Sequence, residues 1–201
     1  MKQLLLLIGI SFFYANGITQ NRYDLAVKFQ QDMNMEYADS LESPLTDEDR
    51  LKFTGLPFFP IDTNLIVTAK VDVLSDQEVF EMETTTDRLP LYRPYYTASF
   101  SIDTLDFSLT IYQSEDLKTR AGYEKYLFLP FTDITNGDES YGGGRYIDLE
   151  ITESDSIIID FNRAYNPYCA YNKKYSCPIP PRENDVNYAI RAGVKFPSEY
   201  K

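Results

Sequence analysis

A mainly β domain, an antiparallel β-sandwich or barrel carrying one or two N-terminal helices, is expected from three features of this 201-residue chain. Hydrophobic residues alternate with polar ones from Leu65 onward, which is the side-chain spacing of a half-buried strand. Turn-forming residues separate one such run from the next, as antiparallel connections require. A four-residue apolar recurrence, the mark of a helix face, is confined to the segment before Asp39. The length fits one domain, since domains run to ~100–200 residues. A composition that is 43% hydrophobic suffices for a packed core. Its aromatic part is 17 Tyr and 13 Phe with no Trp, so much of it is suited to walls that are apolar on one side and polar on the other.

Taken in order, Met1-Lys2-Gln3 gives a short basic start, and Leu4 to Tyr14 is uncharged and largely apolar. Ala15-Asn16-Gly17 then places small residues where a signal peptidase acts. Residues 1–17 are expected to be a signal peptide, leaving residues 18–201 as a single domain, periplasmic or secreted. A buried first helix or strand is the competing reading. The apolar run is too short to span a bilayer, so no membrane insertion is expected after signal removal. Asn21 to Ala38 reads as a helix capped by Asn21, with Leu25, Phe29, Met33 and Tyr37 forming one stripe. Thr46-Asp47-Glu48-Asp49 resembles a capping box for a short helix ending near Phe53, ahead of Gly55.

Leu65, Val67, Ala69, Val71 and Val73 lie on one face of the first strand. Tyr96–Ile102 and Leu105–Tyr112 form a hairpin turning at Asp103-Thr104, with Phe107, Leu109 and Ile111 opposite Asp106, Ser108 and Thr110. Tyr126–Phe131, Tyr146–Ile151, Ser156–Asp160 and Tyr188–Ala192 are further strand expectations.

The formal net charge of −12 repels phosphate backbones and anionic lipid, and no run of Lys and Arg offsets it. Nucleic acid is therefore not an expected partner. The chain has no His, which removes Ser-His-Asp and Cys-His catalysis and His-ligated metals. Acid–base chemistry would fall to Asp, Glu, Tyr, Lys or Cys. No metal site is indicated, and the sequence identifies no particular cofactor.

Two segments are candidates for function. In the first, Asp133 to Tyr146, Gly142-Gly143-Gly144 can adopt positive φ and present N–H groups to an anion beside Arg145. A tight turn or bulge entering the next strand is the alternative. Glu139, Tyr141 and Tyr146 flank it, and Asp148 and Glu150 share a strand face with Tyr146. A buried Arg145–carboxylate network is a common structural device, so its presence alone would not establish catalysis. In the second segment, Asp160 to Asn184, four Pro and four Asn exclude regular structure over much of its length. It is either a functional ordered loop or a wall tied down by Asn side chains such as Asn162 and Asn166. It also holds both cysteines, Cys169 and Cys177. In an exported protein these pair as a disulfide, and otherwise they remain reduced thiols.

The strings SPLTDEDRLKFTGLPFFP (43–60), LFLPFTD (127–133), YGGGRYIDL (141–149), DFNRAYNPYCAY (160–171), CPIPPREN (177–184) and IRAG (190–193) resemble the domain of unknown function 1684 family. The resemblance spans Ser43 to Gly193 and carries the family's pattern at Gly144, Arg145, Tyr146, Asn166, Pro167, Cys169, Cys177 and Pro178. It implies a widespread prokaryotic group with no activity attached, some of whose members lack a signal peptide. Three readings follow. The first is a binding domain for a small polar or anionic ligand held by Gly143, Gly144, Arg145, Tyr141, Tyr146, Asn162, Tyr165 and Asn166. The second is a His-free enzyme using Asp160 or Glu139 as base and Arg145 as charge stabiliser. The third is an envelope interaction protein that uses the Pro-rich loop.

Overall fold

The alternation that starts at Leu65 builds a single curled sheet, and its order decides where the candidate site lies. The computed structural model describes residues 2–196. The side chains of residues 1–19, which include the expected signal segment, lie outside the described residues, as do residues 197–201 entirely. Helix α1 runs from Lys2 to Ala38 without interruption, so Asn21 lies inside the helix and does not cap it. Its inward face is Ala26, Phe29, Met33 and Tyr37, while Leu25 of the expected stripe is exposed. Among the described residues no helix is long and apolar enough to cross a membrane. Helix α2, Asp47–Lys52, forms as expected: the Asp49 N–H donates to the Thr46 hydroxyl and Phe53 is the C-cap.

Among the described residues eight strands follow: β1 (Ile66–Val73), β2 (Phe80–Glu81), β3 (Leu91–Ile102), β4 (Leu105–Ser114), β5 (Tyr126–Asp133), β6 (Arg145–Glu150), β7 (Ser156–Asp160) and β8 (Asp185–Val186). The sheet order is β6-β5-β4-β3-β1-β7, antiparallel throughout this path, with β2 added beside β3 and β8 running parallel to β5. The sheet curls into a half-barrel, giving a mainly antiparallel β fold with N-terminal helix. The β3–β4 hairpin turns where expected, with Asp103 at φ 54°. Strand β3 starts earlier than the alternation suggests because a bulge between Pro94 and Tyr96 shifts its register by one.

The concave face holds the main core: Val67, Ala69, Val71, Ala98, Phe100, Leu109, Ile111, Leu127, Leu129, Phe131, Ile147 and Ile159. Val73, expected on this face, sits at the strand end and is 67% exposed. The opposite face of β3–β6 carries a second, aromatic cluster of Tyr92, Tyr112, Phe128 and Tyr146, with Met82. A strand with one solvated face shows polar residues there. On β5 both faces are apolar or aromatic, and on β6 Tyr146 joins Phe128 on the outer face, so this part of the outer face requires a cover. That cover is the irregular chain from Tyr165 to Pro178, together with α1.

The expected strand at Tyr188–Ala192 does not form. Its backbone is diverted to a different acceptor role, because the carbonyls of Ile190 and Ala192 receive the guanidinium of Arg145.

Candidate functional site

The glycine-rich segment is consumed by its own hydrogen bonds. The N–H groups of Asp138, Glu139 and Ser140 donate to the carbonyl of Thr135, Gly137 donates to Ser140, and Gly144 donates to Tyr141. Asn136 spans the loop, its amide donating to Ser140 Oγ at 2.8 Å and to the Tyr141 carbonyl at 2.7 Å. Of the two N–H groups expected to form a cradle, at Gly143 and Gly144, that of Gly144 is thus taken up within a turn. Gly144 has φ 87°, and a Cβ there would meet Pro180 at 2.6 Å and the Phe131 carbonyl oxygen at 2.7 Å, so the turn requires glycine at this position.

Arg145 begins β6 facing inward and is 0% exposed. Its Nη2 donates to Asp133 Oδ2 at 2.6 Å and to the Ile190 carbonyl at 2.8 Å, and its Nη1 donates to the Ala192 carbonyl. The rings of Phe131 and Phe59 lie 5.4 and 5.9 Å from the guanidinium carbon. Burial lowers its pKa, and Asp133 offsets that loss only in part. Three hydrogen bonds hold the two Nη atoms while Nε has no partner, so Arg145 is enclosed and clamps the chain from within.

The other expected residues divide in the same way. Asn162 is buried and brackets residue 62, accepting from the Asp62 N–H at 2.8 Å and donating to its carbonyl at 2.9 Å. Asp160 caps the short turn 161–163 by accepting from the Asn162 N–H. Its carboxyl is pushed up by burial and pulled back by Asn162. Asn166 is buried and donates to Tyr171 Oη and the Lys195 carbonyl. Glu139 pairs with Arg191 on the surface at 2.8 Å. Tyr141 packs edge-on against Phe196. Only Tyr146 and Tyr165 reach a common cavity.

That cavity is a cleft of about 340 Å³ under the covering loop, within the usual ~300–1,000 Å³ of small-molecule sites. Its floor is the outer face of the sheet: Tyr92 on β3, Tyr126 and Phe128 on β5, and Tyr146 and Asp148 on β6. The antiparallel register sets Phe128 directly opposite Asp148. Tyr165 is locked beside β6 by reciprocal backbone bonds with Tyr146 at 2.9 and 3.0 Å. One wall is α1, through Phe29, Met33 and Glu36, and the other is the loop, through Tyr168, Tyr175 and Cys177. The rings interlock edge to face, with Phe128 and Tyr146 at 4.7 Å and Tyr146 and Tyr165 at 5.8 Å between centroids.

Asp148 is the polar centre of the cleft. The hydroxyls of Tyr126 and Tyr165 both donate to its Oδ1, at 2.8 and 2.7 Å, and neither takes Oδ2. The side chain keeps an exposed surface although protein surrounds it closely, as expected for a group on the floor of an open cleft. Desolvation by those walls raises its pKa, against the lowering effect of the two tyrosines and of Arg163. Burial next to this carboxylate raises the phenols of Tyr165 and Tyr126, which stay protonated as donors. Tyr168 donates to Glu36 at 2.7 Å and so fastens the loop to α1. Asp32, at the rim, pairs with Lys28 on its own helix. Among the described residues no Lys or Arg lines the cleft. A cation acting on Asp148 is Arg163, whose guanidinium lies 5.0 Å over the ring of Phe29.

Asp148 could have been singled out from the sequence, because it alternates in phase with Tyr146. The rest of the cleft depends on long-range packing. Among the described residues no three His, Cys, Asp or Glu side chains gather as a metal site. Cys169 and Cys177 are free thiols lying against one another, the Cys169 N–H donating to Cys177 Sγ at 3.2 Å.

A family model described as "Protein of unknown function (DUF1684)" matches residues 51–195. No curated protein matches the chain. The solution NMR structure of an uncharacterized protein from Haloarcula marismortui is similar over 90% of this chain and 97% of its own, with a TM-score of 0.70 and 33% identity.

Proposed function

Because this chain belongs to the DUF1684 family, whose name carries no activity, its function has to be inferred from its own cleft, and we propose that it is a binding domain for a small organic cation with an apolar body. One observation carries the reading: an aromatic cleft whose charged lining consists of carboxylates, with Asp148 held in place by two tyrosine hydroxyls. Ring faces attract cations, by about 0.5–2 kcal/mol each according to desolvation. A fixed carboxylate beside them selects an ammonium or guanidinium over a carboxylate or phosphate. The stacking of Arg163 on Phe29 at the rim is the same interaction made by the protein itself. An anionic ligand, which the sequence favoured through Arg145, loses its partner because that guanidinium is internal.

Calorimetric titration with benzyltrimethylammonium and with benzoate, two probes of similar size and opposite charge, tests the reading. The cation is expected to bind and the anion is not. Asp148→Asn keeps an acceptor for both tyrosines and should weaken the cation by roughly tenfold or more, the scale of a lost charge-assisted contact of ~1.5–3 kcal/mol. Equal binding of the two probes, or an unchanged affinity in Asp148→Asn, would overturn it. The same reading requires an ionised Asp148. Affinity should therefore fall on acidification, at a pH above the ordinary carboxylate value because the walls raise this group. Export through residues 1–17 is part of the proposal, and a mature N-terminus found after position 17 would support it.

A further inference from the structure

The cysteine pair sits where the covering loop meets the sheet, and its surroundings differ from those of an inert staple. Cys169 lies in the short turn 168–170 and is partly exposed, whereas Cys177 is buried and lines the cleft. The loop is anchored on both sides of Cys177. Its N–H donates to Thr85 Oγ1 at 3.2 Å, its carbonyl accepts from the Thr85 N–H at 2.9 Å, and Pro178 bridges to Thr84. The seven residues between the two cysteines thus return the chain to a fixed point, and the thiols stay adjacent without a covalent link.

We propose that Cys169 and Cys177 form a redox-active dithiol that exchanges with low-molecular-weight disulfides, Cys169 being the attacking sulfur and Cys177 the resolving one. The assignment of roles follows exposure first, since only Cys169 offers accessible surface for in-line attack. Hydrogen bonding points the same way. The Cys177 thiol, then Thr85 and Tyr141, donate to the Cys169 sulfur and bring its pKa down to about 6. The same arrangement, with burial, holds Cys177 protonated, against a small opposing effect of Arg88. Tyr146 and Tyr141 face the pair as neutral phenols, both raised by burial. In the first step the Cys169 thiolate attacks one sulfur of RSSR, forming a Cys169–SR mixed disulfide and releasing RS⁻. In the second, Cys177 loses its proton to solvent or to RS⁻ and attacks Cys169 Sγ, expelling the second RS⁻. In sum, two protein thiols are oxidised by two electrons and one disulfide is reduced to two thiols. A stabilised Cys169 thiolate is also a good leaving group, so the protein disulfide is readily reopened.

The full chain, incubated at neutral pH with oxidised glutathione and quenched with an alkylating agent, tests this by intact mass. Wild type should lose both free thiols and retain no glutathione, and an excess of reduced glutathione should restore both. In Cys177→Ser, where the hydroxyl still donates to Cys169, one glutathione should remain attached. In Cys169→Ser none should attach over the same interval. Alkylation of wild-type Cys169 followed against pH should have its midpoint near 6 rather than at the ordinary ~8.5, and this measurement needs no variant to fold. The proposal is overturned by a wild-type protein that does not react or keeps a glutathione, by a disulfide that reduced glutathione leaves closed, by equal reactivity in Cys169→Ser, or by an alkylation midpoint at the ordinary value.

Discussion

Arg145 has no contact with water, and its charge is balanced by Asp133 and two backbone carbonyls. Removing one partner of such a pair strands the other, at a cost of about 3–5 kcal/mol. Arg145→Ala should therefore lower the urea unfolding free energy by that amount. Adding Asp133→Ala should cost less than the sum of the two single changes, because the second removes the stranded charge. Glycines allow a comparable contrast. Gly193 has φ 78°, and a Cβ there would meet the Ala164 carbonyl oxygen at 2.3 Å, whereas Gly137, at φ 84°, faces open space. Both Ala substitutions incur the left-handed penalty of ~1–2 kcal/mol, but Gly193→Ala must also displace backbone. Its melting temperature should fall clearly further than that of Gly137→Ala. The importance of Arg145 was legible in the sequence from its glycine-rich approach. Its role was not, because the carbonyls that satisfy it lie 45 and 47 residues downstream, in a segment with a strand-like pattern.

Among the elements, β4 and β5 adjoin in the sheet, yet the one residue pair in register between them is Tyr112 with Phe128. Pro130 supplies no N–H to continue the ladder. Asn184 fills the gap, accepting from the Thr110 N–H and donating to the carbonyls of Thr110 and Pro130, at 2.7–2.8 Å. The asparagine amide acts as a one-residue strand, and β8 then pairs with β5 immediately beyond it. Asn184→Ala would leave these buried groups without partners, at ~1–3 kcal/mol for each unsatisfied group. Hydrogen exchange at Thr110 should accelerate more than at Ile111 in the same variant. The strands themselves were legible because alternation is local. Asn184 and Asn162 were visible only as residues of an irregular loop, since nothing nearby in sequence identifies the backbone they bracket.

For the molecule as a whole, the aromatic second face explains a pH response. Burial raises the phenols of Tyr112, Tyr126, Tyr146, Tyr165 and Tyr168, while the unfolded chain ionises them near pH ~10. The folded protein then binds more protons than the unfolded one above that pH. Stability from this source is complete below about pH 10 and declines as the pH rises beyond it. Urea midpoints measured between about pH 9 and pH 11 should fall together with a late, cooperative rise in tyrosinate absorbance. The cleft behind this response was half legible: the in-phase Tyr146 and Asp148 are plain in the sequence, but their walls come from α1 and the loop, joined by contacts such as Tyr168 to Glu36 across 132 residues. The buried guanidinium also sets an order in time. During synthesis at ~5–20 residues per second, roughly 2–10 s separate the emergence of Arg145 from that of its last acceptor at Ala192. The sheet can pair strand by strand as it is made. The start of β6, however, cannot close over its cation until residues 190–192 have been made, which makes that segment the step that completes the burial of Arg145.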